Sequence, residues 1–121
     1  MIFVIHKHKA THLHWDLRLE MDGVLKSWAV PKEPPKKPGI KRLCIQVEDH
    51  DLSYANFEGE IPEGSYGAGI VKIWDKGTYE IIENTKNSIK FQAFGLIFKG
   101  IYVLYRFPKA GKNLWLLFKT K

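Results

Sequence analysis

Residues 12–20, HLHWDLRLE, alternate polar and apolar side chains without a break. His12, His14, Asp16, Arg18 and Glu20 share one parity; Leu13, Trp15, Leu17 and Leu19 share the other. Successive side chains of a strand point to opposite faces, so a period of two describes a half-buried β-strand with one polar and one apolar side. Wound as a helix, the same residues would scatter Leu and Trp round every face. The segment must be extended, and its apolar side must find a core. VLKSWAV, residues 24–30, is the expected hairpin partner across Met21-Asp22-Gly23.

Strand patterns continue along the chain. PKEPPKKPG, residues 31–39, holds four of the six prolines and can join neither a helix interior nor a central ladder, so an extended loop is expected there. Strand signals resume at RLCIQVED and at GIVKIWD, where DKG is read as a turn into TYEIIE. SIKFQAFGLIF, IYVLYRF and NLWLLFK follow, separated by KG and PKAGK. The apolar run FGLIF does not define which side faces inward. Helix is expected only around LSYANF, residues 52–57. The pattern predicts a mostly β fold, a small antiparallel β-barrel with short flanking helical turns and loops, because closure removes exposed edges. A chain of 121 residues suits a single domain, 1–121.

The composition, 45% hydrophobic and 26% charged, is that of a soluble globular protein, and no apolar run approaches the roughly 18 residues of a membrane helix. The start, MIFVIHKHK, lacks the long apolar region of a signal peptide, and a cytoplasmic monomer is expected. The one cysteine, Cys44, excludes both an internal disulfide and a thiolate zinc cluster and reads as a buried structural thiol. A net charge of +6 favours polyanionic partners through phosphate neutralisation.

Four of the five histidines lie within residues 6–14. Neighbours two apart on a strand face are about 6.5–7 Å apart, so His14, Asp16 and Arg18 form a row whose heads can converge on one ligand. Two imidazoles and a carboxylate suit a divalent transition ion, and the nitrogen donors disfavour magnesium and calcium. The second imidazole is either His8, if Lys9-Ala10-Thr11 bends it back, or His12, one step further from Asp16. A guanidinium repels a cation, so Arg18 belongs beside a metal only when an anion sits between them, and phosphate matches its fork.

In QVEDHDLSYANFEGEIPEGSYGAG, alternation places Cys44, Gln46, Glu48 and His50 on one face and Leu43, Ile45 and Val47 on the other. His50 then reaches the first row from a strand end, and Tyr54 offers a phenol donor to an anionic oxygen. Gly59, Gly64, Gly67 and Gly69 match neither phosphate-loop spacing and read as turns at a barrel rim. IPEG with His12-Leu13-His14 hints at a cupin-type centre, but Tyr66 stands where a further histidine belongs. Lys32, Lys36, Lys37, Lys41 and Arg42 against Glu33 make the proline loop basic, a nonspecific grip for a sugar-phosphate backbone.

Taken together, the segments FVIHKH, HWDLRLE, SWAVPK, KRLCIQVEDH, YANFEGEIPEGSYGAG and WDKGTY resemble, in order, the 3′-phosphoesterase domain of bacterial and archaeal DNA ligase D, in its free-standing form. The resemblance covers residues 3 to about 79 and implies a small β-barrel enzyme that heals the 3′ ends of DNA or DNA-RNA primers for non-homologous end joining, with Mn2+ as cofactor and Co2+ or Zn2+ as alternatives. Such enzymes remove a terminal ribonucleoside and then the 3′-phosphate it leaves, producing a hydroxyl that can be ligated. By motif, His8, His14 and Asp16 would bind the metal, while Arg18, His50 and Tyr54 would surround the scissile phosphate. His50 would donate a proton to the departing oxygen or hydrogen-bond the phosphate. Lys32 and Arg42 match basic positions that assist the monoesterase step. His6 stands where the family has glutamine, so a changed water network or an added ligand is expected. A separately encoded ligase and polymerase would be the partners.

Two rival readings stand beside this one. A nonenzymatic nucleic-acid-binding β-barrel would use the basic loop and exposed aromatics, and would leave the histidine row without a purpose. A cupin-like metal oxidoreductase would predict bound iron.

Overall fold

The computed structural model describes residues 1–65, 67–107, 109, 111 and 113–120, and their alternating segments form strands β1 (Ile2–Lys9), β2 (Leu13–Met21), β3 (Val24–Val30), β4 (Lys41–His50), β5 (Gly59–Ile61), β6 (Gly69–Thr85), β7 (Ser88–Phe94), β8 (Lys99–Arg106) and β9 (Leu114–Lys119). Eight strands close a barrel in the order β1-β2-β3-β4-β9-β8-β7-β6, with β6 returning to β1 and every pairing antiparallel. The ninth, β5, adds to the N-terminal end of β6. A 3₁₀ helix at Leu52–Asn56 is the helical element among the described residues, and none of these residues forms a helix long and apolar enough to cross a membrane.

The predicted hairpin forms, with Met21 opposite Val24. Asp22 and Gly23 both take positive φ, 56° and 79°, which suits a tight turn to the twist of the strands. The apolar parity of β2 turns inward. Leu17 and Leu19 are fully buried with Phe3, Ile5, Trp28, Phe91 and Leu117, and Phe98 stacks on Tyr102 at 3.8 Å between ring centroids. Each such side chain contributes roughly 1.5–3 kcal/mol on burial. Cys44 lies in this core, and burial pushes its thiol up to about 12.

Two predicted turns are displaced. DKG is not a turn: β6 runs through it without interruption, pairing with β1 along Ile70–Thr78 and with β7 from Thr78 onward. The glycine serves a close approach instead, since a Cβ on Gly77 would fall 2.6 Å from the Phe94 carbonyl oxygen. Nor does KG separate the next two strands. The chain reverses at Gly95–Phe98, inside the apolar run, and Lys99 and Gly100 belong to β8.

Asp75 on β6 explains that reversal. Its carboxylate accepts hydrogen bonds from the backbone N–H groups of Leu96 (3.2 Å), Ile97 (2.9 Å) and Phe98 (2.7 Å), so a buried anion holds a turn whose Leu96 side chain is 87% exposed. Hydrogen bonds to a charged acceptor are worth more than neutral ones, and Asp75→Ala is expected to destabilise the barrel by about 2–3 kcal/mol, read as a lowered urea midpoint at unchanged m-value.

The proline loop seals one barrel mouth. Pro34 and Pro35 are buried, Tyr102 Oη donates to the Pro35 carbonyl at 2.8 Å, and Arg42 Nε donates to the Glu33 carbonyl at 2.8 Å. The loop stays outside the ladder because proline has no N–H to offer it.

Candidate metal and phosphate site

The polar row of β2 lies on the outer wall of the barrel, yet its centre is shielded from solvent. The segment after β4, with its 3₁₀ helix and β5, folds over β1, β2 and β3 as a flap. A small apolar cluster pins it: Val4 and Leu25 on the wall pack with Leu52 and Ala55 from the flap. Glu58 adds a hydrogen bond to the Ile73 N–H at 2.8 Å. Asp16 and Arg18 are therefore 6% and 4% exposed, and β2 is buried on both faces rather than on one.

Register assembles the site. The bend at Ala10–His12 folds β1 back on β2, setting His8 opposite His14 and His6 opposite Asp16. His8 is thus the second imidazole of the row. His12 sits exposed in the bend, off the strand face, and contributes its carbonyl, which accepts from His14 Nδ1 at 3.1 Å. The parity expected for His50 is also corrected. A β-bulge in the β3–β4 pairing sets Ser27 opposite Val47 but Leu25 opposite His50, so two residues of β3 match three of β4. Cys44 turns into the core while His50 swings to the outer wall with Val47.

His8, His14 and Asp16 each offer one ligand atom, all within 4.8 Å of one another. His14 Nε2 stands 3.2 Å and His8 Nδ1 3.8 Å from Asp16 Oδ2. The other nitrogen of each ring donates to a backbone carbonyl, His8 Nε2 to Gly67 at 2.8 Å and His14 Nδ1 to His12. Those bonds orient both rings and turn the remaining nitrogen of each toward the carboxylate, where it offers a lone pair to an ion or, on protonated His14, an N–H to Asp16, the outer support that metal-binding imidazoles require. The donor set fits a divalent transition ion: bonds of about 2.1 Å bring neighbouring ligand atoms to separations of this order. Burial alone would push the Asp16 carboxyl up, but the hydrogen bond from His14 and the Arg18 charge hold it below the usual range. The bond to Asp16 in turn raises His14, against the opposing effect of burial.

Arg18 is held on three edges. Its Nε donates to His6 Nδ1 at 3.0 Å, Nη1 contacts Ser27 Oγ at 2.8 Å and His50 Nδ1 at 3.1 Å, and Nη2 donates to Asp16 Oδ2 at 3.4 Å. The Tyr54 ring covers the guanidinium at 5.0 Å and packs against His50 at 4.7 Å. His50 Nδ1 also stands 3.2 Å from the Glu48 carbonyl, so it accepts from Arg18 when the proton is on Nε2 and donates to Glu48 when the proton is on Nδ1. Burial and the Arg18 charge lower the His50 pKa, so its resting form is the neutral imidazole. Burial raises the Tyr54 phenol, which stays protonated.

The six residues His8, His14, Asp16, Arg18, His50 and Tyr54 line one cavity of about 450 Å³, walled otherwise by Glu48 and by apolar side chains such as Ala29, Val47 and Ile61. Lys32 and Arg42 do not line it: Lys32 is exposed in the proline loop, and Arg42 is engaged with Glu33. His6 adds no ligand, because its ring nitrogens are taken by Arg18 and by the Phe57 carbonyl at 3.0 Å. Ser27 had no predicted role; a lone hydroxyl on the otherwise apolar face shared by Leu25 and Ala29 was its only signal. Among the described residues IPEG supplies a wall residue, Ile61, and no ligand; Tyr66 lies outside the described residues.

A closed antiparallel barrel bearing two histidines and a carboxylate on its outer wall, backed by a buried arginine fork, defines a barrel with a candidate metal centre beside a buried cation. Comparison with known proteins makes this particular. The family of the DNA ligase D 3′-phosphoesterase domain matches residues 6–106, and the chain belongs to that family. The multifunctional non-homologous end joining protein LigD of Pseudomonas aeruginosa is 46% identical over 125 residues, covering 98% of this chain and 15% of that protein. The multifunctional non-homologous end joining DNA repair protein LigD of Mycobacterium tuberculosis is 59% identical over 78 residues, covering 64% of this chain and 10% of that protein. The chain therefore spans a small part of the length of these relatives.

Proposed function

We propose that this chain is a manganese-dependent DNA 3′-end-healing phosphoesterase of non-homologous end joining, a monomeric single domain acting in the cytoplasm. It removes a 3′-terminal ribonucleoside and then the 3′-phosphate, leaving a hydroxyl that a ligase can join. One observation carries this reading: the triad of His8, His14 and Asp16 and the fork of Arg18 line a single cavity and share the Asp16 carboxylate between them.

His8, His14 and Asp16 would hold the ion, Mn2+ or in its place Co2+ or Zn2+, which when bound supplies Lewis-acid polarisation and a water of lowered pKa. The chain's own groups do the rest. Arg18 binds the phosphoryl oxygens and offsets charge that builds up as the ester bond breaks. His50, neutral at rest, in the tautomer that accepts from Arg18 presents its Nε2–H as a hydrogen-bond donor to phosphate; a role as proton donor requires the bound dianion to raise its pKa first. Tyr54 caps the guanidinium and keeps its phenol available as a donor. Lys32 and Arg42, outside the cavity, engage the backbone beside the reacting end.

The test is a labelled primer-template ending in a ribonucleotide or a 3′-phosphate, incubated with protein and Mn2+. Stepwise conversion to a 3′-hydroxyl, silenced by EDTA, is expected. Strand binding that persists in EDTA with no product under any of the three metals would instead establish the nonenzymatic barrel.

A further inference from the structure

His6 is fully buried beside the cavity, on the same outer row of β1 as the triad's His8, yet it does not belong to the triad. Both its ring nitrogens are engaged. Nε2 donates to the Phe57 carbonyl of the flap at 3.0 Å, and Nδ1 accepts from Arg18 Nε at 3.0 Å. With a carbonyl on one side and a guanidinium on the other, only one tautomer satisfies both bonds, and the ring cannot flip without breaking them. Its edge also meets the Tyr54 ring, 5.2 Å between centroids at 68°.

A guanidinium has five N–H groups in a rigid fork. Nε takes one to His6, Nη1 has Ser27 and His50, and Nη2 uses one on Asp16. The second N–H of Nη2 has no partner among the described residues, and Nη2 is the nitrogen that meets the triad's carboxylate. Which way that last donor points depends on rotation of the guanidinium. His6 is the group that holds Nε, and through Phe57 it ties that orientation to the flap.

We propose that His6 is a positioning residue: by bridging Arg18 Nε and the Phe57 carbonyl it aims the free edge of the guanidinium at the phosphoryl group and makes that aim depend on the seated flap. This rests on the phosphoesterase reading for its turnover arm alone. It is tested with His6→Leu, which fills the space without hydrogen bonds, and His6→Gln, whose amide carries one acceptor and one donor. A misplaced catalytic group costs on the order of 100-fold, so His6→Leu is expected to lower kcat on a 3′-phosphate duplex by about 30- to 100-fold with KM within about 3-fold. His6→Gln is expected to recover most of that loss, and Mn2+ titration should give both variants the wild-type affinity. A residue that only fills space would show the reverse order.

The second readout needs no turnover. In protein carrying ¹⁵N-arginine, the Arg18 Nε–H should exchange slowly with solvent in wild type and in His6→Gln, and quickly in His6→Leu. Wild-type kcat in His6→Leu, or unchanged Nε–H exchange, overturns the proposal. If His6→Leu does not fold, His6→Gln decides: a protected Nε–H supports the bridge and a solvent-exposed one overturns it. If wild type releases no phosphate, the enzymatic reading fails, while the exchange measurement still decides the positioning role.

Discussion

Asp16→Ala is expected to lower Mn2+-dependent release of phosphate from a 3′-phosphate duplex by at least about 10³-fold, through loss of both a metal ligand and the anchor of Arg18. No other side chain of the site touches both halves of it: His14 Nε2 and Arg18 Nη2 meet on the same oxygen, Oδ2. The variant should also fail to bind Mn2+ in a direct titration while still unfolding cooperatively in urea, which separates a lost ligand from a lost fold. Retained turnover would remove Asp16 from the ligand set. A pH dependence follows from the same contact. Asp16 raises the pKa of His14, and a proton on His14 competes with a metal for its lone pair, so Mn2+ affinity should rise with pH until His14 is neutral. In the metal-free protein the sign is that of a depressed carboxylate. The folded state holds the Asp16 carboxyl below its unfolded range, so its stabilisation is present at neutral pH and is lost as the pH falls through the carboxylate range.

Arg18→Lys is expected to cost about 10²- to 10³-fold in kcat while leaving Mn2+ affinity within a few-fold of wild type, because a lysine keeps the charge but not the fork. The guanidinium contacts His6, Ser27, His50 and Asp16 from three nitrogens at once, and a single ammonium cannot satisfy those four groups. Ser27 and His50 would then sit in or beside the wall without the donor they were arranged around. Wild-type turnover by the lysine variant would show that charge alone suffices and that the fork has no part in holding phosphate.

Much of the barrel was legible in local pattern. The alternation of HLHWDLRLE placed Leu17 and Leu19 inward and Asp16 and Arg18 outward, and the tight turn at Asp22-Gly23 fixed its partner strand. These are nearest-neighbour properties, set by the pleat and by backbone sterics. Turn residues were a poorer guide where a strand had to pass two neighbours. DKG has turn composition, but barrel closure needs one long β6 reaching from β1 to β7, and Gly77 admits the close approach of the Phe94 carbonyl. FGLIF has strand composition, but Asp75, some twenty residues earlier, supplies the acceptors that bend it.

The site divides in the same way. Histidines, one carboxylate and one arginine on a single parity, with the family resemblance, were enough to name the metal-type triad and Arg18 as candidates. His50 and Tyr54 were named by the same resemblance, but how His50 reaches the outer wall required the bulge between β3 and β4, which reverses the parity that simple alternation assigns to it. Ser27 and His6 required cross-strand register, because a hydroxyl on β3 and an imidazole on β1 reveal nothing of a guanidinium on β2 until the strands are paired.

What the sequence by itself determined is which side chains can share a face, since that depends only on the two-residue pleat of each strand. What tertiary structure alone decided is that the centre of this polar face, at Asp16 and Arg18, is shielded from solvent. The flap over β1, β2 and β3 removes water from Asp16, Arg18 and His6, and in that low-dielectric setting each of their hydrogen bonds becomes strong enough to hold a charged side chain in one orientation.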